Sequence, residues 1–370
     1  MKYRIPSFIL FFILFAANVY SQSLKTGFDA SEYNDMLVLA ELQYFNKDSA
    51  IAHYDMQYRS PEMGLKNQWD LWLRDDNVGV ISIRGTVNQL PSWLENFYSV
   101  MIPAKGSLQI NDSTKFAYQL ADNPMASVHT GWTIGLAFLG PDIVEKITNL
   151  YKEKKVKEFI IFGHSQGGAL AFLTTSYLYY LQKNGGLPGE FSFKTYCSAA
   201  PKPGNLYYAY DYDYITRGSK SFTIVNTDDW VPETPFTIQT IEDLNNINPF
   251  ANINAVFAKQ KMLARWYLKG MYNKMDKGSK KARDRYEKYL GKKLYPIIKK
   301  SLPQLKEPAY AGTMNYMRAG IPVILMTDSV YHDKFRGTKE NVWIHHGLAP
   351  YKYLAGKIYS VPGEPVLPGN

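Results

Sequence analysis

Phe159 to Leu181 reads FIIFGHSQGGALAFLTTSYLYYL, and the fold turns on this stretch. Phe159-Ile160-Ile161-Phe162 is a short apolar run of the kind that forms a strand buried on both faces. Gly168 to Leu181 has the pattern of an apolar helix. Between them stands Gly163-His164-Ser165-Gln166-Gly167-Gly168, a G-x-S-x-G sequence in the strand-turn-helix setting that gives it meaning. A serine on so sharp a turn has a strained backbone, and its neighbours must lack side chains for strand and helix to approach. Its hydroxyl then projects above the carboxyl end of a sheet, with a helix N-terminus behind it that favours developing negative charge. Ser165 is therefore the candidate nucleophile.

Working outward, the elements on either side extend the α/β reading. Ser31 to Tyr44 reads as a helix with Ser31 as its N-cap. Trp69 to Leu73 and Val78 to Ile83 flank Asp75-Asp76-Asn77 as a hairpin. Leu136 to Lys154 is helical in pattern, and Phe193 to Ser198 and Ser221 to Val225 read as further strands. A hairpin followed by alternating strands and helices predicts a mostly parallel sheet flanked by helices, antiparallel at its start.

A serine nucleophile needs a base and an acid to orient it, delivered in this kind of fold in the order Ser, Asp, His. Thr223 to Asn226 is a strand leading into Thr227-Asp228-Asp229-Trp230-Val231-Pro232, which puts an acid at a strand's carboxyl end. Of the six histidines, His332, His345 and His346 lie beyond it, and the last two precede a loop entering a helix. His53, His129 and His164 come too early in that order and read as structural.

The chain resembles the class 3 lipases, the fungal-type triacylglycerol lipases of the α/β-hydrolase superfamily. The family's G-H-S-L-G-G is matched by Gly163 to Gly168, with Gln166 in place of leucine. Its F-R-G-T/S appears as Ile83-Arg84-Gly85-Thr86, followed by Ser92-Trp93-Leu94-Glu95-Asn96. V-H-x-G-F appears as Val128 to Trp132, P-x-x-G-N as Pro201 to Asn205, D-x-V-P as Asp229 to Pro232, and H-x4-Y as His346 to Tyr351. The resemblance implies an α/β-hydrolase fold with Ser165 as nucleophile, His346 as base and Asp229 as its orienter. It implies that the backbone N–H groups of Thr86 and Gln166 receive the oxyanion, with the Thr86 hydroxyl as a further donor. The family carries a lid just after F-R-G-S/T, which here falls on an apolar stripe of Leu90, Trp93, Leu94, Phe97, Tyr98, Met101 and Ile102. That stripe fits a mobile lid or a helix packed into the core.

The resemblance implies cleavage of carboxylic esters, most readily acylglycerols, with a phospholipase or acyltransferase as the alternative on the same three residues. A silent lipid-binding protein that kept the fold is a third reading. No metal or organic cofactor is implied, and the expected partner is an ester or lipid substrate, with peripheral contact at lipid interfaces.

Composition sets the remaining bounds. Hydrophobic residues make up 46% and charged residues 20%, which suits a packed core. A single cysteine, Cys197, excludes an intramolecular disulfide framework and a thiolate zinc cluster. Met1 to Gln22 has Lys2 and Arg4, then an apolar core too short to span a bilayer, then small residues before a cleavage point; it reads as a signal peptide over residues 1–21, and the protein as exported. Residues 22–370 read as one hydrolase unit.

The net charge of +9 is concentrated. Lys259 to Lys306 holds 16 Lys and Arg against Asp276, Asp284 and Glu287, a net of +13, so the rest of the chain is acidic. No nucleic-acid motif accompanies this segment. It lies within the 117 residues that separate Asp229 from His346, about double the family's spacing. Leu263, Tyr267, Met271 and Met275 predict an amphipathic helix, and Lys280 to Leu290 a second, basic helix. The segment reads as a helical insertion at about 240–310, either a solvated basic cap or a cap that also touches anionic headgroups.

Overall fold

The computed structural model describes residues 24–45, 51–250 and 253–359; the signal-peptide reading at residues 1–21 lies outside them. The chain runs α1 (Ala30–Tyr44), β1 (Tyr54–Arg59), β2 (Trp69–Arg74), β3 (Val78–Ile83), α2 (Leu90–Phe97), β4 (Met101–Pro103), β5 (Lys105–Gln109), β6 (Lys115–Gln119) and β7 (Ser127–His129). It continues through α3 (Thr130–Lys154), β8 (Glu158–His164), α4 (Gln166–Lys183), β9 (Ser192–Ser198), β10 (Gly204–Asn205), α5 (Leu206–Ile215) and β11 (Ser221–Asn226). The last third holds α6 (Ile253–Ala258), α7 (Met262–Glu287), α8 (Tyr295–Ser301), β12 (Tyr316–Met317), β13 (Ile321–Leu325), α9 (Ser329–Lys334) and α10 (Leu348–Tyr359).

The main sheet has seven strands in the order β1-β2-β3-β8-β9-β11-β13. β1, β2 and β3 pair antiparallel, and every later pair is parallel. The β2–β3 hairpin closes through Asn77, which takes the left-handed φ of 67° that asparagine tolerates. Alternation along the strands splits the core in two. Ile81, Ile83 and Ile161 face one side, in a cluster with residues of α3 and α4; Val80, Ile160 and Phe162 face the other, with residues of α1 and α10. Helices on both faces of a largely parallel sheet make this an α/β-hydrolase fold, and every strand's carboxyl end in the parallel part points to one rim.

Several boundaries differ from the sequence reading, each for a physical reason. α1 is capped by Asp29, whose carboxylate accepts from the N–H groups of Ser31 and Glu32, so Ser31 lies inside the first turn. α3 begins at Thr130, six residues before the predicted start. Its first turns contain Thr130, Gly131, Thr133 and Gly135, poor helix formers on their own. Packing demands them: a Cβ on Gly131 would stand 1.9 Å from the Glu95 carbonyl oxygen of α2. The apolar stripe after Thr86 is not one helix, since α2 stops at Phe97 and Met101-Ile102 belong to β4. The two predicted basic helices are one, α7, which runs unbroken to Glu287 and passes into a π-turn over Lys288–Lys292.

Candidate active site

Ser165 sits between β8 and α4 with φ 61° and ψ −128°, a conformation that costs a non-glycine residue of order 1–3 kcal/mol. The surroundings hold it there. Ser165 N–H donates to the Ser198 carbonyl at 2.9 Å, and its own carbonyl accepts from Gly168 and Ala169. Gly167 is required by contact, because a Cβ there would lie 2.2 Å from the Ile83 carbonyl oxygen at the end of β3. The turn is thus the point where β3, β8 and α4 touch.

Three rim segments bring their side chains to this serine. His346, in the turns just before α10, lies with Nε2 2.8 Å from Ser165 Oγ. Its Nδ1 is 2.8 Å from Asp229 Oδ2, just past the end of β11. Asp229 is buried and fully engaged: Oδ2 also accepts from the Tyr351 hydroxyl at 2.8 Å, and Oδ1 from Val231 N–H at 3.0 Å. A carboxylate so placed fixes the imidazole with its proton on Nδ1, leaving Nε2 to accept from the serine. Tyr351 enters the sequence motif without a stated role; its place one turn into α10, four residues beyond the His346-Gly347 turn, is the signal that could have given it one.

The neighbouring acid and histidine point elsewhere. Asp228 Oδ2 pairs with His332 Nε2 at 2.6 Å. His345 Nδ1 meets the Tyr331 hydroxyl at 2.7 Å. His164, read as structural, also braces the site: its Nε2 donates to the His346 carbonyl at 2.7 Å, while Nδ1 accepts from Ser198 Oγ at 2.9 Å. Ser198 in turn meets Tyr33 of α1 at 2.6 Å. Burial, with the nearby His346 adding to it, lowers the His164 pKa to about 3, so the ring is neutral and can both donate and accept. His129 caps α3 by accepting from Trp132 N–H and is likewise held neutral by burial, near pKa 3.

Thr86, after β3, faces the N-terminus of α4. The backbone N–H groups of Thr86 and Gln166 have no acceptor among the described residues. The Thr86 hydroxyl does not stand ready as a third donor, because it donates to Gln166 Oε1 at 2.8 Å. Asn96 Nδ2 reaches both Thr86 Oγ1, at 2.9 Å, and Gln166 Oε1, at 3.1 Å. Gln166 Nε2 continues to Asn67 Oδ1 at 3.3 Å, and Asn67 Nδ2 to Glu95 Oε2 at 2.6 Å. Glu95 is completely buried, Oε1 has no partner among the described residues, and burial raises its pKa to about 8. The glutamine that replaces the family's leucine is therefore the centre of a buried polar chain that sequence reading missed.

These groups open on a cavity of about 1180 Å³. Tyr44, Phe97, Trp230, Phe236 and Trp343 give it a largely aromatic wall. Trp343 bridges the rings of Trp93 at 5.7 Å, Trp230 at 4.8 Å and His346 at 5.6 Å. Of the candidate lid residues, Trp93 and Phe97 line the cavity, whereas Leu94 turns into the core.

The family model for "Lipase (class 3)" matches residues 80–239. The secreted mono- and diacylglycerol lipase 1 of Fusarium solani is 26% identical over 193 residues, 51% of this chain and 48% of the relative. A triacylglycerol lipase of Ricinus communis, OBL1, is 27% identical over 196 residues, 44% of this chain and 36% of the relative. The chain spans about half the length, or less, of these curated relatives. Among solved structures, a fungal lipase–inhibitor complex gives a TM-score of 0.43 at 18% identity, over 56% of this chain and 74% of that one. Lip2 lipase from Yarrowia lipolytica gives 0.42 at 18%, over 58% and 78%. The matched residues run from β3 through the serine turn to the acid after β11, and over this stretch the chain is similar to the class 3 lipases.

Proposed function

We propose that this protein is an exported serine hydrolase that cleaves carboxylic esters, with acylglycerols as its substrates. The observation that supports it most is the run Ser165–His346–Asp229, at 2.8 Å for each contact, opening on the aromatic cavity. The acylglycerol assignment draws on the relatives named as mono-, di- and triacylglycerol lipases, and export on the leader-like first 21 residues and on relatives named as secreted.

In this reading Ser165 Oγ attacks the ester carbonyl carbon as His346 Nε2 takes the hydroxyl proton, and Asp229 stabilises the imidazolium. The carbonyl oxygen becomes an oxyanion received by the N–H groups of Thr86 and Gln166, each worth on the order of 3 kcal/mol. The carbon–oxygen bond to the alcohol breaks, and His346 returns the proton to the departing oxygen. Water then attacks the acyl-serine, giving its proton to His346, and Ser165 leaves with a proton restored. The aromatic wall shelters the acyl chain from water.

The test is hydrolysis of a panel of esters and phospholipids of graded acyl length by the full chain and its Ser165→Ala variant. The substitution should lower turnover by ~10⁴-fold or more with unchanged circular dichroism. Stoichiometric labelling of Ser165→Ala by an active-site phosphonate would refute the nucleophile assignment. Phospholipids turned over faster than every acylglycerol would replace the substrate reading with the phospholipase one.

A further inference from the structure

None of the 26 residues of α7 is buried, although seven of its first fourteen are large hydrophobic residues left exposed. The helix is held from one side only. Tyr272 faces the rings of Phe257 and Phe250 at 6.1 and 6.5 Å; Lys280 and Arg283 both pair with Glu242; the Tyr286 ring meets Phe236 at 6.2 Å. Tyr286 in its last turn, and Leu290 in the π-turn that follows, enter the wall of the active-site cavity. At 100° per residue these contacts orient the helix. Opposite them runs one exposed row: Leu263, Tyr267 and Met271 at every fourth residue, Lys274 three further on, and, two turns beyond it, Lys281 and Arg285.

The composition of that row is one-sided. Its first half is apolar, with Leu263 79%, Tyr267 63% and Met271 45% exposed. Its second half is cationic, and its three bases form no ion pair among the described residues. The acids of the helix lie off the row and are each engaged: Asp276 with Lys280 at 3.2 Å, Asp284 with Arg283 at 2.9 Å and Glu287 with Lys292 at 2.9 Å.

We propose that the outward row of α7 docks the protein on anionic lipid surfaces, those that carry negative headgroups. Apolar and aromatic side chains enter the boundary between headgroups and acyl chains, while cations beside them meet phosphates. A second copy fits poorly, since a parallel pairing brings the unpaired cations together and an antiparallel one lays each cationic half on the partner's apolar half. A polyanion such as nucleic acid would use the bases and leave the exposed Leu263, Tyr267 and Met271 in water. No helix among the described residues is long and apolar enough to cross a membrane, and α7 lies on the surface in this inference. The inference rests on the ester-hydrolase reading for its purpose but not for its physics.

The experiment therefore separates the two. Full-chain protein carrying Ser165→Ala is sedimented with vesicles of phosphatidylcholine alone and with a phosphatidylglycerol fraction, across a salt series. Binding should appear only on the anionic vesicles and weaken with salt, because exposed charges are screened over about 8 Å at physiological ionic strength. Lys274→Gln, Lys281→Gln and Arg285→Gln together should lower vesicle partitioning on the order of 100-fold. Leu263→Ser with Met271→Ser should lower it further, and neither set should alter hydrolysis of a soluble short-chain ester by the protein with Ser165 intact. Equal binding to both vesicle types, or binding indifferent to the triple substitution, would overturn the docking inference. Concentration-dependent self-association abolished by Leu263→Ser and Met271→Ser would overturn it in favour of a dimer face. Soluble-ester turnover of zero in the unsubstituted protein would instead count against the hydrolase reading alone.

Discussion

Two imidazoles stand side by side before α10, and the groups around each decide what it can do. His346 has Ser165 on one nitrogen and a buried carboxylate on the other. His345 has a tyrosine hydroxyl on Nδ1, and its carbonyl accepts from Asn226. His346→Ala should cost ~10⁴-fold or more in kcat/KM on a soluble ester. His345→Ala should leave turnover within a few-fold and cost about 1 kcal/mol of stability for the lost hydrogen bond. The adjacent acids divide in the same way: Asp229→Asn removes the group that fixes the imidazole tautomer, whereas Asp228→Asn touches only His332 and Thr327. Steady-state kinetics on the four variants, with circular dichroism as the folding control, checks both pairs. A loss in His345→Ala equal to that in His346→Ala would reverse the assignment.

At the scale of elements, the serine turn is a place where three backbones meet without room for a methyl group. Gly167→Ala would push a carbon against the Ile83 carbonyl oxygen, which belongs to a rigid strand and cannot yield as a flexible side chain would. A core forced apart in this way loses at least 1–3 kcal/mol, with a melting temperature lower by several degrees. Gly189→Ala serves as the control, since nothing lies within 4 Å of a Cβ there. Calorimetry should find the control close to the parent protein; equal melting temperatures for Gly167→Ala and the parent would show that the turn has slack. The same contact logic explains α3, whose glycine-containing start is a poor helix by composition and is stabilised by the α2 backbone lying across it.

Over the whole molecule, buried titratable groups make stability depend on pH in two opposed ways. His129 and His164 are held neutral, with pKa near 3 against 6.5 in an open chain. The unfolded state therefore binds more protons between about 3 and 6.5, and these two rings make stability rise with pH through that window. Glu95 does the reverse. Its pKa is near 8 in the fold against 4.5 outside it, so the folded state holds the proton longer and stability falls as pH rises from about 4.5 to about 8. Glu95→Gln keeps an acceptor for Asn67 and removes the ionisation. Its melting temperature should match the parent's near pH 5 and exceed it by several degrees at pH 9. Parallel melting curves from pH 5 to pH 9 would mean that Glu95 ionises freely in place.

Local pattern was enough for part of this molecule. The apolar run Phe159–Phe162, the glycines around Ser165, the Asp75–Asn77 turn and the segregated charge of Lys259–Lys306 are short-range features, and each constrains its own few residues whatever the rest does. They made the α/β class and the strand–turn–helix setting of Ser165 legible. The choice of His346 and Asp229 over their neighbours came from motif register, because adjacent residues of one type look alike in a sequence. In space they differ completely, since the partners stand 117 and 181 residues away along the chain. The same holds for Gln166, Asn67 and Glu95: nothing local marks a glutamate on an amphipathic helix as buried until α3 closes over it. Only the tertiary structure decided those contacts, because burial and hydrogen-bond partnership are properties of the surroundings and not of the residue.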